Sequence, residues 1–264
     1  CAETQDYIII MHDTALFYGK KFFENYVLKK SKILDIGSKD ENGSLKKYNN
    51  NNHEYIGIDM VPGKNVDIVQ KDPYVIPFDN DTFDIVTSTS VFEHSSMFWV
   101  LSNEIFRVLK PNGLFYLNAP SNGPYHTYPL DCYRFYPDAG NGIVEWGVRS
   151  GYKNLIVLES FIGNKKLDNW NDFVCIFLKD KNYINEYKKR IIENHRTYSF
   201  GKKYNDSKIY QAKIKKNSSL MPDQKLDGIF YLLFIKILFF LVEILKKIFF
   251  YRKLKKIIFK KINV

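Results

Sequence analysis

Cysteine is scarce in this chain. Three occur among 264 residues, Cys1, Cys132 and Cys175, and no two form a C-x-x-C pair. An odd number without paired spacing argues against a disulfide framework or a cysteine-bound zinc site and fits a reducing cytoplasm. The dinucleotide fingerprint G-x-G-x-x-G is also missing, since the first glycine turn reads Gly37-Ser38-Lys39-Asp40-Glu41-Asn42-Gly43. No repeat is visible, and no charged-then-apolar signal segment follows Cys1, which reads as an incomplete or processed N-terminus. A simple membrane span of ~18 uncharged residues is lacking as well, because Lys236 and Glu243 interrupt the most apolar run.

Positive charge is unevenly placed. The last 39 residues, 226–264, hold nine Lys/Arg against Asp227 and Glu243, whereas the preceding residues hold 30 Lys/Arg against 27 Asp/Glu. The larger part is nearly neutral, so nothing calls for a nucleic-acid partner, which needs a basic face on a folded domain.

What the chain does have is a strand, a glycine turn, a second strand and then an acid. Ile33, Leu34 and Ile36 form a short apolar strand that ends at Gly37. Tyr55, Gly57 and Ile58 belong to the next, with Asp59 at its carboxyl end, where open α/β sheets bind ligands and an acid accepts ribose hydroxyls. A third strand toward Asp72, a fourth over Phe83–Thr87, a helix from about Met97 to Leu109 and a strand over Leu114–Leu117 follow. A helix over Ala15–Lys29 precedes them, and Leu155–Ser160 with Phe173–Leu178 read as a closing hairpin. Strands alternating with helices predict a mostly parallel sheet covered on both faces.

The segments LDIGS (34–38), YIGIDM (55–60), Asp72-Pro73, PFDNDTFDIVTS (77–88), VFEH (91–94) and RVLKPNGLFYLNAP (107–120), in that order, resemble the successive motifs of class I S-adenosylmethionine-dependent methyltransferases. The resemblance covers about residues 30 to 180. It implies a Rossmann-like fold with a seven-stranded, mostly parallel sheet and S-adenosyl-L-methionine as cofactor. By the same resemblance Asp35, Gly37 and Ser38 lie against the methionine portion and Asp59 holds the ribose. Asp72 meets the adenine amino group, Met60, Pro73 and Tyr74 line the ring, and Ser88 completes the cofactor site. Glu93-His94 resembles the family's pair at a helix start and reads as structural; no metal ligands are assigned.

The stretch NAPSNGPYHTYPLDCYRFYPDAG (118–140) is similar to a segment of methyltransferases encoded among bacterial genes for capsule and lipopolysaccharide. Its chemistry suits a polar acceptor. Tyr125, Tyr128, Tyr133 and Tyr136 surround His126, Asp131 and Arg134, and aromatic faces with a few polar groups fit a sugar or nucleotide. The alternative is a packed cover over the sheet edge. In the functional reading His126 is the general base, histidine being the side chain whose ordinary pKa lies nearest neutrality. Asp131 orients it or binds the acceptor, Tyr125 and Tyr128 bind the acceptor, and Arg134 holds an anionic group.

Three regions follow: a methyltransferase domain over 1–180, a helix near Asn182–Asn194 with a polar linker over 181–225, and a basic amphipathic helical tail over 226–264. On the tail, Lys236, Glu243 and Lys247 share one helical stripe among apolar residues, which suits a helix lying on anionic lipid; docking on a second subunit and a short tilted span remain open. The implied enzyme O-methylates a sugar or a phosphorylated or phosphoramidate precursor of a surface polysaccharide at the inner face of the cytoplasmic membrane. The alternatives are a lipid or quinone methyltransferase, or a non-catalytic cofactor-binding scaffold.

Overall fold

The structure is a computed structural model that describes residues 13–41, 43–50, 53–163, 171–195 and 197–210. Its sheet holds nine strands: β1 (Lys32–Ile36), β2 (Glu54–Asp59), β3 (Ile68–Val69), β4 (Phe83–Thr89), β5 (Leu109–Pro120), β6 (Ile156–Gly163), β7 (Asp172–Leu178), β8 (Tyr198–Lys203) and β9 (Asp206–Tyr210). Their order is β3-β2-β1-β4-β5-β7-β6-β8-β9. The first five in that order run parallel, and every pairing from β5·β7 onward is antiparallel. The chain leaves β1 in one direction, returns after β3 and continues through β4 on the other side, so a crevice opens at the carboxyl ends of β1 and β4.

Side chains that alternate across the pleat build two cores. Leu34, Val86, Phe115 and Leu117 face α2 (Phe98–Val108) and α3 (Asp138–Arg149), packing with Leu101, Ile105, Phe106 and Ile143. Ile33, Ile85, Leu114 and Tyr116 face the opposite way, toward α1 (Asp13–Tyr26) and the short α4 (Ile191–Asn194), where Tyr18, Phe22, Tyr26 and Ile191 are buried. Near-continuous apolar runs such as Leu114–Leu117 follow from burial on both faces.

Several expectations are corrected. Among the described residues the sheet has nine strands instead of seven and is mixed rather than mostly parallel, because part of the polar stretch expected as a linker forms the antiparallel hairpin β8–β9, which pairs with β6. Asn205 turns that hairpin with a φ of 54°, a left-handed conformation that asparagine tolerates. The helix expected over 182–194 is divided into a 3₁₀ turn, Lys181–Glu186, and α4. Among the described residues a 3₁₀ turn, Leu45–Tyr48, is the one regular element between β1 and β2, and the β2–β3 and β3–β4 connections hold no helix. The residues of the expected tail, 226–264, lie outside the described residues. Among the described residues no helix is long and apolar enough to cross a membrane.

Candidate active site

Gly37 opens the crevice. Its φ is +71°, and a Cβ there would stand 2.2 Å from Val91 Cγ2, so only glycine lets the chain turn between β1 and the segment after β4. The N–H groups of Gly37 and Ser38 both donate to the Ile58 carbonyl, at 2.9 and 3.1 Å, which fixes the turn to β2. Lys39 then donates its backbone N–H to Asp59 Oδ2 at 3.1 Å, and Val61 donates to Asp59 Oδ1 at 3.2 Å. Each oxygen of this carboxylate keeps a further lone pair, which matches the two hydroxyls of a ribose.

Asp35 is placed differently from its neighbours. Its side chain is buried at the end of β1, where Thr87 of β4 and Tyr55 of β2 each donate to it at 2.7 Å. Burial raises its pKa to about 6 against the opposing effect of those two hydrogen bonds. The group therefore ties three strands together directly beneath the glycine turn. Ser38 and Ser88 are buried with hydroxyls that find no partner among the described residues, and the Thr89 hydroxyl finds none there either. Ser90, the next residue, holds a φ of 55°, and such strained backbone concentrates at functional sites.

Beyond β3 the chain makes a turn in which Tyr74 donates its N–H to Asp72 Oδ1 at 2.8 Å, and the Tyr74 hydroxyl accepts from the Met97 N–H at 3.1 Å. Arg107 secures the following residues by donating to the Ile76 and Phe78 carbonyls, each bond within 2.8 Å. Met60 is exposed on the rim. The orphaned hydroxyls, the two-sided acceptor Asp59 and the turn at Asp72–Tyr74 fit a nucleoside with a small polar extension; these residues are the ones that could hold the cofactor.

A second cluster lies beside this crevice. Glu93, in a 3₁₀ turn after β4, is 1% exposed, its Oε2 has no partner among the described residues, and burial raises its pKa to about 8. Its Oε1 lies 3.7 Å from His94 Nε2. His94 Nδ1 contacts the Leu130 carbonyl, and burial lowers the pKa of this imidazole. The His94 and His126 rings meet edge to face with centroids 5.0 Å apart. His126 Nδ1 is 3.2 Å from Asp131 Oδ2 and 3.4 Å from Arg134 Nη2. Arg134 donates to both Asp131 oxygens, at 2.5 and 2.8 Å, and its guanidinium holds the carboxyl well below the usual carboxylate range.

The loop over 118–140 is joined to both crevice walls. Cys132 and Tyr133 donate backbone N–H groups to the Glu93 carbonyl at 2.6 and 3.3 Å, and the Tyr128 hydroxyl donates to Glu41 Oε1 at 2.6 Å. Glu41 in turn pairs with Lys39 at 2.5 Å. Tyr125, Tyr128 and Tyr136 are exposed, while Tyr133 packs edge-on against Phe98. The sequence-derived site residues thus lie at the carboxyl ends of β1, β2 and β4, in the turn after β3, or on the loop over 118–140. The sequence read Glu93-His94 as structural; that the Glu93 carboxyl is buried is a tertiary fact that no short-range pattern announces.

Residues 34–117 match the family model of a methyltransferase domain. Among solved structures, the chain is similar to the 1,6-didemethyltoxoflavin-N1-methyltransferase of Burkholderia thailandensis, crystallised with 1,6-didemethyltoxoflavin and S-adenosylhomocysteine. The identity is 16%, the TM-score 0.50, and the match covers 63% of this chain and 79% of that one. It is also similar to a SAM-dependent methyltransferase from Aquifex aeolicus, at 18% identity and a TM-score of 0.44, over 61% of this chain and 90% of the other. No curated protein matches the chain. The fold is that of the class I methyltransferases. The protein is a methyltransferase, and its cofactor is S-adenosylmethionine.

Proposed function

We propose that the protein O-methylates a sugar, or a phosphorylated or phosphoramidate sugar precursor, destined for a bacterial surface polysaccharide. The observation that carries this reading is the loop over 118–140, which sets His126, Asp131 and three exposed tyrosines beside the cofactor crevice and touches the cofactor loop through Tyr128 and Glu41. Exposed rings next to ionisable groups suit the apolar faces and hydroxyl edges of a sugar better than a flat apolar acceptor.

Bound S-adenosylmethionine supplies a methyl group already activated by a positive sulfur, which an acceptor oxygen displaces as the carbon–sulfur bond breaks and its electron pair returns to sulfur. The chain's own task is alignment and removal of one proton. Asp59, Asp72, Met60, Pro73 and Tyr74 hold the nucleoside, and Gly37, Ser38 and Ser88 receive the other end, with Asp35 fixing the strands beneath. Positioning of this kind supplies several kcal/mol. His126 takes the proton of the attacking hydroxyl, Asp131 and Arg134 set the ring, and Tyr125 and Tyr128 grip the acceptor.

The basic apolar tail, residues 226–264, would keep the enzyme on the inner face of the cytoplasmic membrane, where such precursors are assembled. Mass spectrometry of surface glycan from a strain lacking the protein tests the whole reading: the glycan should lose the mass that one methyl adds in replacing a hydrogen. An unchanged glycan spectrum rejects it.

A further inference from the structure

Glu93, His94 and His126 each offer a ligand atom, and those atoms lie within 4.8 Å of one another. We propose that these three side chains form a binding site for a divalent first-row transition-metal ion, of the zinc or manganese kind, with an open position facing the acceptor pocket. Two imidazoles and one carboxylate are a donor set that leaves room on such an ion for water or substrate.

The unpartnered Oε2 of Glu93 is the first support. A carboxyl at 1% exposure with an oxygen that finds no partner is costly, and a cation is the ligand that its chemistry calls for. The orientation of His94 is the second. Its Nδ1 faces the Leu130 carbonyl, which can only accept, so Nδ1 carries the hydrogen and the lone pair of the neutral ring sits on Nε2, 3.7 Å from Glu93 Oε1. Metal-bound histidines characteristically donate the other ring nitrogen to a carbonyl or a carboxylate. His126 has Asp131 at 3.2 Å from its Nδ1, the carboxylate form of the same arrangement.

Geometry comes close to what an ion requires. Ligands at ~2.0–2.2 Å from a tetrahedral ion stand roughly 3.3–3.5 Å apart, so atoms that lie within 4.8 Å of one another must close by up to about 1.5 Å. The two ligand-bearing segments are already fixed to each other, because Cys132 and Tyr133 bond to the carbonyl of Glu93 itself. An ion there also assigns a use to Glu93-His94, which the sequence reads as structural.

The consequence for chemistry rests on the acceptor reading above. In the ion-bound form an acceptor hydroxyl takes the open position, coordination lowers its pKa, and its proton leaves to solvent rather than to His126. The site itself can be measured without cofactor or acceptor, so it stands or falls separately from the proposed O-methylation.

Full-length protein stripped with chelator is titrated with Zn²⁺ by calorimetry and with Co²⁺ by visible absorption. One ion per chain should bind. Glu93→Gln and His94→Gln should each weaken binding by about tenfold or more, the scale on which metal-site residues act. His53→Gln, which removes a histidine outside the cluster, should bind as the parent does. S-adenosylhomocysteine titrations of the same variants, giving parent-like affinity, establish that they are folded. Absence of saturable binding, or folded Glu93→Gln and His94→Gln proteins that bind as tightly as the parent, overturns the proposal and leaves Glu93 a buried protonated acid.

Discussion

Arg134 meets Asp131 with both terminal nitrogens, 2.5 Å from Oδ1 and 2.8 Å from Oδ2, while Asp131 Oδ2 also accepts the backbone N–H of His126 at 2.7 Å. The guanidinium is therefore engaged with the group that sets His126. Arg134→Ala should raise the acceptor KM, and Arg134→Lys should rescue it poorly, since an ammonium cannot reproduce the two-pronged contact. If Arg134 acts through Asp131, the double variant with Asp131→Ala should lose little more than either single one. Additive losses in steady-state kinetics would instead mean that Arg134 grips the acceptor's anionic group directly.

His126→Gln should lower turnover by ~10² to 10⁴ while leaving cofactor affinity intact, because the ring serves the acceptor hydroxyl, as its base or, in the ion-bound form, as a ligand of the ion that holds it, and not the nucleoside. Single-turnover rates together with calorimetry on the cofactor check both halves. Near-normal turnover with the true acceptor would reduce the loop over 118–140 to a cover on the sheet edge.

Asp59→Ala should weaken S-adenosylmethionine binding by ~2 to 4 kcal/mol, the scale of charge-assisted hydrogen bonds to two hydroxyls. Lys39 stands where the family places a second glycine. It is tolerated because its backbone is not in the left-handed region, unlike that of Gly37. Calorimetry on folded variants decides the matter, and unchanged affinity in Asp59→Ala would remove the ribose assignment.

Asp35 gives a dependence of stability on pH. Its folded pKa, about 6, lies above the ordinary aspartate value of 3.8, so the folded state holds the proton more tightly than the unfolded chain. Its contribution is fully favourable below the ordinary value and declines as pH rises through about 6, by on the order of 3 kcal/mol. Asp35→Asn should flatten that part of the profile. Denaturant unfolding at pH 4.5 and 7.5 measures it, and identical slopes in parent and variant would contradict the assignment.

The parallel half of the sheet was legible because local signals agree there: apolar runs at Ile33–Ile36 and Leu114–Leu117 are bounded by Gly37, Lys110-Pro111 and Gly113. Asp59 was legible for a related reason, standing one residue past a β pattern at a spacing that topology dictates. The hairpin β8–β9 was not. Its faces carry Lys202, Lys203, Asp206 and Lys208, and it joins the core through separated tyrosines, with Tyr198 meeting Phe161 and with Tyr204 and Tyr210 packed at the margin. The Glu93–His94–His126 cluster was hidden in another way. His126 reaches the pair only because the loop bonds back to the Glu93 carbonyl, a tertiary fact that no spacing encodes.

Contacts made by residues beyond 180 limit where the catalytic part can be cut. Glu159, fully buried, accepts from the Tyr26 hydroxyl at 2.5 Å and from the N–H groups of Ile191 and Ile192 at 2.8 and 3.1 Å, so α4 is bonded to both α1 and β6. Ending the chain at residue 180 would strip away Ile191, Ile192 and Tyr198 and leave this carboxyl and the apolar surface around it uncovered. Exposing the apolar surface that Ile191, Ile192 and Tyr198 cover, and losing two of the carboxyl's three hydrogen bonds, costs on the order of several kcal/mol, a large share of a domain's stability. A chain ending at residue 218, the limit of the first compact unit, should therefore remain soluble and bind S-adenosylhomocysteine, whereas one ending at 180 should aggregate. Full-length protein should sediment with anionic vesicles and be released in part by salt, since screening weakens the electrostatic share and leaves the apolar share. If the 218-residue chain aggregated while full-length protein stayed in solution without lipid, residues 219–264 would have to cover apolar surface of the protein or of a second copy, and the membrane-anchor reading would be lost.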